Sequence, residues 1–439
     1  MTTKFEQIAV KARKEPSLRF TTLAHHVGRE LVLECLNHIP NSSAAGIDGQ
    51  SVKSVKENFD NWIGEALGAI YRQGYQPPPV RRVYIPKPGK AEKRPLGVPC
   101  VADRAIQRSV SLVLSQIYEQ DFLPCSFGGR PKLSAHHALC TLNEIIAGKK
   151  VSWVFEADLK NFFGSLDHGW MLRFVEHRVG DPRILSLVRR WLKAGIFENG
   201  KVETNDEGTP QGGSVSVLLS NIYLHYVLDL WFTKVVKPRM RGECYLVRYL
   251  DDFVVCFQFR SDAIRFQNVL PKRLAKFCLE LEPNKTKLVE FGRFSQRHSK
   301  ENGRKQETIF FLGFTHFCSK NLKGNFQVAR KTEKNRFRRS VLRLRETIAK
   351  IQHWSLKEQV NRINQVLRGH FNYYGLGGNL GALHRFYRLA EESWRVSISK
   401  RCWKGKVNWR EFHRLKMIFP LQRPKLFIPY SAMKKFAVL

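Results

Sequence analysis

Two adjacent carboxylates, Asp251 and Asp252, lie between two runs of strand-forming residues, 245–247 and 253–257. This pattern is typical of a β-hairpin with acids at its tip. Neighbouring like charges repel each other unless a cation holds them, and a divalent metal ion commonly fills that role. Aspartate is also a common turn residue. From this segment alone, a metal site and an ordinary turn are equally good interpretations.

A third acid, Asp158, ends the apolar run 151–158, which is typical of a short buried strand. Metal ligands and other functional groups often lie at the carboxyl ends of strands. An acid here is also a frequent cap or turn residue, and this plainer interpretation is favoured when the segment is considered alone. Two aromatic residues, Phe162 and Phe163, follow in a predicted turn.

Basic residues recur in other predicted turns. Residues 81–99 predict two strands joined by a Pro/Gly turn, with Lys87 and Arg94 close to it. Lys285 and Lys287 lie in a second basic turn. Turns that fix Lys and Arg are suited to a triphosphate or a phosphate backbone. An exposed basic hairpin without a ligand is the alternative.

Paired glycines precede the most apolar predicted helix, which runs from residue 215 to about 235. The segment 208–214 reads Gly-Thr-Pro-Gln-Gly-Gly-Ser and includes Gln211. Glycines at a helix start allow a ligand to approach the backbone and its free N–H groups. A simple loop is an equal alternative.

The composition favours a nucleic-acid partner. The 439 residues include 74 Lys and Arg but only 38 Asp and Glu, which gives a formal net charge of +36. A generally basic, solvated surface is the alternative, but it usually produces a much smaller excess. Hydrophobic residues make up 43% of the chain, which excludes wholesale disorder.

The nine cysteines include no C-x-x-C pair, so the sequence has neither a zinc-site signature nor a disulfide framework. The N-terminus lacks an apolar signal segment, and no run of about 20 apolar residues occurs. We therefore expect reduced thiols in a soluble, cytoplasmic protein that does not bind membranes.

Two amphipathic helices with basic surfaces are predicted after residue 330. The first has an apolar stripe from 337 to 351, and the second begins at a capping box formed by Ser355 and Glu358. They are suited to clamping a duplex backbone, with a solvated surface as the alternative. Helices are also predicted within 1–75, after Asp103 with an apolar stripe from 106 to 117, at 135–146 and at 263–281, and short strands at 288–291 and 310–314.

The order of these segments is informative. Nucleotide polymerisation needs two metal ions held by carboxylates from different strands, cations for the triphosphate and a basic channel for the duplex. Seven motifs resemble, in order, those of reverse transcriptases, most closely the group II intron-encoded and related bacterial enzymes. The matching segments are 46–49, 85–87 with 94–97, Asp158 with Phe163, 210–213, 249–252, 285–287 and 312–314, and 367–375 resembles the thumb.

The resemblance implies a catalytic site. Asp158 and Asp251 would be shared ligands of two Mg²⁺ ions, for which Mn²⁺ can substitute, and Asp252 would support the site. The substrates would be an RNA template, a DNA primer or duplex, and dNTPs. Either Lys285 or Lys287 could protonate the leaving pyrophosphate.

It also implies a nucleotide pocket. Lys87 and Arg94 would hold the incoming triphosphate, and Gln211 would line the pocket. Phe163 would exclude ribonucleotides because its ring would collide with a 2′-hydroxyl. This exclusion disfavours an RNA-dependent RNA polymerase.

The implied fold is α+β, a right-hand polymerase whose palm has an antiparallel sheet. We expect fingers with an N-terminal extension at 1–150, a palm at 151–325 and a helical, maturase-like thumb at 326–400. A basic tail would occupy 401–439.

The sequence departs from the family pattern at three points, of which Leu250 and the endonuclease domain bear on the biological role. Leu250 stands where intron-encoded members mostly carry alanine, and its branched side chain would press on the primer terminus. Segment 127–132 has lost an aromatic residue and a glycine of the second fingers motif. Bulky residues at position 250 resemble those of stand-alone, endonuclease-lacking enzymes, and we expect no cysteine- and histidine-bearing endonuclease domain after the thumb.

We therefore favour a host-adapted polymerase that acts in DNA repair, end joining or phage defence and also copies DNA. A group II intron maturase, needed for splicing and retrohoming, is the main alternative. A non-catalytic RNA-binding splicing factor is disfavoured, because it would need the basic thumb but not the acids Asp158, Asp251 and Asp252.

Overall fold

The structure, a computed structural model, describes residues 2–86, 93–198, 200–203, 208, 213–301, 303, 305–401 and 406–439, without the side chains of 2–4, 94 and 298. Helices and mainly antiparallel sheets are both present, so the predicted α+β class is confirmed. No helix in these ranges is long and apolar enough to cross a membrane.

The first part of the chain is helical apart from one β-hairpin. Its elements are α1 (Thr2–Lys14), α2 (Arg29–Asn37), α3 (Val52–Glu57), α4 (Phe59–Tyr71), β1 (Val80–Pro86), β2 (Lys93–Val98), α5 (Val101–Asp121) and α6 (Ala135–Gly148). Helices α1 and α2 pack on α5. The predicted hairpin is present, with Ile85 of β1 opposite Arg94 of β2.

The second part contains the central sheet. Its elements are β3 (Trp153–Asp158), α7 (His168–Glu176), α8 (Pro182–Leu192), β4 (Ile196–Glu198), β5 (Lys201–Glu203), α9 (Ser216–Leu224), β6 (Cys244–Tyr249), β7 (Asp252–Phe257), α10 (Arg260–Ala275) and β8 (Lys287–Glu290). The helix that starts with α9 continues through two π-helical segments, His225–Asp229 and Phe232–Val236. It therefore has the length predicted for the apolar helix.

Four antiparallel strands in the order β6-β7-β3-β8 form the central sheet. Because side chains alternate along a strand, Phe155 and Val255 enter one core while Val154 and Val254 enter another. The first core includes the N-terminal helices, and the second includes the helices after residue 330. Both faces of the sheet are thus covered, which explains why its strands are almost continuously apolar.

The third part begins with a small sheet and ends in helices. Its elements are α11 (Ser295–Glu301), β9 (Ile309–Phe311), β10 (Phe314–Lys320), β11 (Phe326–Thr332), α12 (Lys334–Lys350), α13 (Leu356–Tyr374), α14 (Leu380–Ser399), α15 (Trp409–Ile418) and α16 (Tyr430–Phe436). The capping box of Ser355 and Glu358 starts α13 as predicted. The predicted stripe of α12 contributes Leu344 and Ile348 to the core.

Two sequence predictions are wrong in detail. The aromatic run 310–314 is not one strand, because Leu312 and Gly313 both have positive φ and form the turn between β9 and β10. The helix predicted to reach residue 281 ends at Ala275. Cys278, three residues further, has a φ of +56°, which is incompatible with a right-handed helix.

Candidate active site

The turn between β6 and β7 has an unusual backbone. Tyr249 and Asp252 form the last pair of the two strands, so Leu250 and Asp251 make a two-residue turn. Leu250 has a φ of +56°. This left-handed conformation costs a residue with a Cβ about 1–2 kcal/mol, and glycine, asparagine or aspartate usually occupies such a position. The turn therefore depends on contacts from elsewhere in the protein.

The register of the central sheet brings the third acid to this turn. Asp158, the last residue of β3, lies directly opposite Asp252, the first residue of β7. Residues opposite each other in antiparallel strands have Cα atoms about 4.5–5.5 Å apart. Together with Asp251 in the turn, they place three acids at one end of the sheet. The structure thus assembles the acids that the sequence analysis selected.

The electrostatics of the site reflect this crowding. Burial, followed by the charges of Asp158 and Asp251, raises the pKa of Asp252 to about 8. A nearby cation would favour the ionised carboxylate and lower this pKa again. The three acids therefore form a site that favours binding of positive charge.

The two lysines predicted for proton transfer have different partners. Lys285 forms an ion pair with Asp158, and its side chain is 61% exposed. Burial lowers the pKa of Lys285, but the hydrogen bond and charge of Asp158 outweigh this effect and raise it. Lys287 instead donates to the Thr308 carbonyl at 2.8 Å and lies 3.4 Å from Glu156. Only Lys285 reaches the acid cluster directly.

An open cavity of about 620 Å³ lies over the acids. Such a volume is within the range of small-molecule sites. Its walls combine the acid cluster with the turn between β9 and β10 and with the start of α12. The polar residues that line it are Glu156, Asp158, Asp251, Asp252, Asn284, Lys285, Lys287, Glu333, Asn335 and Arg336.

Residues 85–316, just over half of the chain, match the family described as reverse transcriptase (RNA-dependent DNA polymerase). The chain belongs to this family. Its predicted α+β polymerase fold agrees with this membership.

Three curated proteins illustrate the relationship of this reverse transcriptase to others. Protein YkfC of Escherichia coli K12 is 34% identical over 226 residues, which are 50% of this chain and 59% of YkfC. The group II intron-encoded protein LtrA of Lactococcus lactis is 41% identical over 191 residues, 42% of this chain and 32% of LtrA. An uncharacterized 91 kDa protein in the cob intron of Schizosaccharomyces pombe is 27% identical over 225 residues, 51% of this chain and 28% of that protein. The matched region thus spans between about a quarter and three fifths of each relative.

The metal ligands predicted for this reverse transcriptase stay a prediction, and the chemistry of the acid side chains can be compared with what a metal ion needs. Within the described ranges, no group of three or more His, Cys, Asp or Glu side chains is already arranged around a common metal position. Asp158 is paired with Lys285 instead. The carboxylate oxygens nevertheless suit Mg²⁺, and a cation would relieve the repulsion that raises the pKa of Asp252. The residues present fit a hard divalent cation.

Phe163 lies in a short 3₁₀ turn, Phe162–Gly164, a few residues after Asp158. Its ring contacts that of Phe162 at 5.3 Å between centroids. A Cβ added at Gly208 would lie 2.6 Å from the Phe163 carbonyl oxygen, so this turn touches the start of the glycine-rich segment. Lys87 and Gln211 lie outside the described residues. Arg94 is described only by its backbone, in β2.

Leu250 contacts a pair of glycines in the segment between α5 and α6. A Cβ at Gly128 would lie 2.6 Å from the Leu250 backbone nitrogen and 2.8 Å from its Cγ. A Cβ at Gly129 would lie 2.3 Å from a methyl group of Val217 and 3.5 Å from Leu250 Cδ2. A side chain at Gly128 would therefore collide with the backbone of the β6–β7 turn, and one at Gly129 would collide with Val217. The predicted contact of Leu250 with a primer terminus stays a prediction.

Two charged residues that no sequence motif indicated lie beneath the turn. Arg248 and Asp229 are both 0% exposed and form a bidentate ion pair with distances of 2.7 and 2.6 Å. The available signal was an arginine in an otherwise apolar strand and an aspartate in an otherwise apolar helix. Buried charges of this kind occur almost only in pairs.

Proposed function

We propose that the protein is an RNA-directed DNA polymerase that adds dNTPs to a primer paired with an RNA template and also copies DNA templates. The observation that carries this proposal is the register that sets Asp158 opposite Asp252 beside Asp251. Carboxylates from two strands at the floor of an open cavity suit two-metal nucleotidyl transfer. Family membership and the formal net charge of +36 also support it.

Asp158 and Asp251 would hold two Mg²⁺ ions, and Asp252 would support them. The bound ions would activate the primer hydroxyl and stabilise the leaving pyrophosphate. Lys87 and Arg94 would bind the triphosphate, and Gln211 would line the nucleotide pocket. The side chains of Lys87, Arg94 and Gln211 are outside the described part of the structure, so their roles rest on the family resemblance alone.

Lys285 is the better candidate for the residue that protonates pyrophosphate. It lies at the acid cluster and is mostly exposed, whereas Lys287 is bound to Thr308 and Glu156. Metal binding by Asp158 would release the Lys285 ammonium, which could then give its proton to the leaving group. Phe163, beside the glycine-rich segment, would select deoxynucleotides by steric exclusion.

Two biological roles share this chemistry. Leu250 in the catalytic turn supports a host-adapted enzyme for DNA repair, end joining or phage defence. The 41% identity to group II intron-encoded LtrA supports an intron-linked role in splicing and retrohoming. Joining of DNA ends through short annealed overlaps, compared with splicing of an intron RNA by the same purified protein, would distinguish these roles.

The activity is tested by incorporation of dNTPs on an RNA template with an annealed DNA primer. We expect Asp251→Ala to lower incorporation at least 1,000-fold, because one of the predicted metal ligands is lost. Template–primer affinity should change little. Glu280→Gln, which alters an exposed acid paired with Lys160, is a matched control that should keep full activity. Incorporation by Asp251→Ala near the wild-type rate would refute the proposal.

A further inference from the structure

The buried pair of Arg248 and Asp229 belongs to a larger network beneath the catalytic turn. The Arg248 guanidinium donates to Asn221 Oδ1 at 3.1 Å, to Ser126 Oγ at 2.7 Å and to the Leu250 carbonyl at 3.1 Å, besides its two bonds to Asp229. An arginine has five N–H donors. All five of them therefore have an acceptor.

The network joins three separate parts of the chain. Asp229 and Asn221 lie on the long helix that follows the glycine-rich segment, and Ser126 lies between α5 and α6. Asn221 also donates to the Gly128 carbonyl at 2.8 Å. Asp229 ends a π-helical segment, and such segments are frequent at functional sites.

Backbone contacts strengthen the same junction. The Arg248 N–H donates to the Cys125 carbonyl at 2.8 Å, and the Phe127 N–H donates to the Arg248 carbonyl at 2.9 Å. The last residues of β6 are therefore fixed on both sides, by β7 and by segment 125–127. Movement of that segment would be transmitted to the catalytic turn.

Stability alone is a weak explanation for this network. Well-packed apolar residues often replace a buried ion pair without loss of stability. The bond from Arg248 to the Leu250 carbonyl, in contrast, acts on the peptide group between Leu250 and Asp251. That peptide belongs to a turn whose own sequence does not favour its backbone conformation.

We infer that Arg248, anchored by Asp229, is a positioning residue that fixes the Leu250–Asp251 peptide and thereby the carboxylate of Asp251. The inference rests on the proposed polymerase function for its effect on catalysis. It does not make Arg248 a ligand or a proton donor. If Arg248 fixes this peptide, the motion of the turn is restricted even without bound substrate.

The test compares two buried arginines in the full-length protein. Arg248→Lys keeps a positive charge next to Asp229 but cannot reproduce the planar fork of five donors. Arg178→Lys is the matched control, because Arg178 is also buried and paired, with Asp121 at 2.9 Å, but binds N-terminal carbonyls. The measurements are hydrogen exchange of residues 245–257, Mn²⁺ binding by electron paramagnetic resonance, and the Mg²⁺ dependence of kcat.

For Arg248→Lys we expect at least tenfold faster exchange in residues 245–257, several-fold weaker Mn²⁺ binding and at least a tenfold lower kcat. The KM for dNTP should stay within about twofold. Arg178→Lys should leave all of these unchanged. Unchanged exchange at the hairpin in Arg248→Lys, or equal effects of both variants, would overturn the inference.

Two further outcomes are informative. If Arg248→Lys does not fold, Ser126→Ala removes one acceptor and leaves the ion pair, and smaller changes in the same direction are expected. Unchanged hairpin exchange in that variant would also overturn the inference. If the wild-type protein incorporates no nucleotides, the proposed function fails, whereas hydrogen exchange still decides whether Arg248 holds the turn.

Discussion

Two hairpins at the acid-lined cavity, β6–β7 and β9–β10, share an unfavourable backbone conformation in their turns but are stabilised in different ways. Both have a leucine with positive φ at the first turn position, Leu250 with +56° and Leu312 with +47°. In the second hairpin the next residue is Gly313, which suits a turn with two positive φ values. In the β6–β7 hairpin the next residue is Asp251, and Arg248 holds the turn through the Leu250 carbonyl. The β9–β10 turn is thus set by local sequence, and the β6–β7 turn by a buried tertiary network.

The largest expected difference between the hairpins comes from adding one methyl group near each. Gly128→Ala would place a Cβ within 3.0 Å of the Leu250 nitrogen and the Tyr249 carbonyl carbon, both backbone atoms. The β6–β7 turn must then shift, and displacement of a catalytic group by about 1 Å can cost about 100-fold in rate. We expect incorporation on an RNA template to fall at least 100-fold.

Gly313→Ala is the matched change in the second hairpin. Its Cβ would meet the flexible side chain of Arg336 at 3.0 Å, and its φ of +81° disfavours alanine. We expect a loss of about 1 kcal/mol in stability and less than a threefold change in rate. Equal losses of rate in the two variants would remove the distinction between the hairpins.

Sequence alone predicts the acids but not what holds them. Asp158, Asp251 and Asp252 stand out because strand patterns place acids at strand ends, and the sheet register then brings them together. Arg248 and Asp229 are 19 residues apart on different elements, and no local pattern reveals their pairing. A charged residue within an apolar run is the signal that could have found them.

The β9–β10 turn and the different partners of Lys285 and Lys287 could not be predicted from local sequence patterns. The turn at Leu312 and Gly313 is hidden within an aromatic run, because leucine rarely has a positive φ. Lys285 and Lys287 are two residues apart, so a continuous strand would put them on one face. β8 begins only at Lys287, and Lys285 lies in the preceding 3₁₀ turn, which points it to a different partner.

The two lysines extend the comparison, because each belongs to one hairpin. Lys285 pairs with Asp158 beside the β6–β7 turn, whereas Lys287 binds Thr308 just before β9 and lies 4.4 Å from the Phe310 ring centre. We expect Lys285→Ala to lower kcat by one to two orders of magnitude and to remove the alkaline limb of its pH profile. Template–primer affinity should stay within about threefold.

Lys287→Ala is the matched control for the other lysine. The variant removes the cation that lies beside Glu156. We therefore expect a loss of about 1–3 kcal/mol in the free energy of unfolding, while kcat stays within threefold of wild type. Thermal unfolding and single-nucleotide incorporation measure the two effects. A greater loss of kcat in Lys287→Ala than in Lys285→Ala would reverse the assignment.

Asp252 should make the metal-free protein less stable as pH rises. Its folded-state pKa of about 8 lies above the ordinary value of about 4, so the folded state binds the proton more tightly than the unfolded state. Its stabilising contribution is present below about pH 4 and is lost between pH 4 and 8. With EDTA at pH 8, Asp252→Asn should therefore be more stable by roughly 1–3 kcal/mol, because the neutral amide avoids burying a charge beside Asp158 and Asp251.

At pH 4 the difference between wild type and Asp252→Asn should vanish. Added Mg²⁺ at pH 8 should stabilise the wild type more than the variant, since the cation favours the ionised carboxylate. Asp60→Asn, which changes an exposed acid paired with Arg29, serves as the control. If the wild type were as stable as Asp252→Asn at pH 8 in EDTA, the carboxylates would not repel one another strongly in the folded protein.

The smallest expected effect concerns the hydrogen bond that matches the Arg248 contact in the second hairpin. The Tyr373 hydroxyl donates to the Leu312 carbonyl at 3.0 Å, just as Arg248 donates to that of Leu250. Tyr373→Phe should cost about 0.5–1.5 kcal/mol in thermal unfolding and change incorporation less than twofold, because Gly313 keeps the turn in place. If Tyr373→Phe lowered the rate as much as Arg248→Lys, both turns would depend on their carbonyl donors, and local turn sequence would not explain the difference between them.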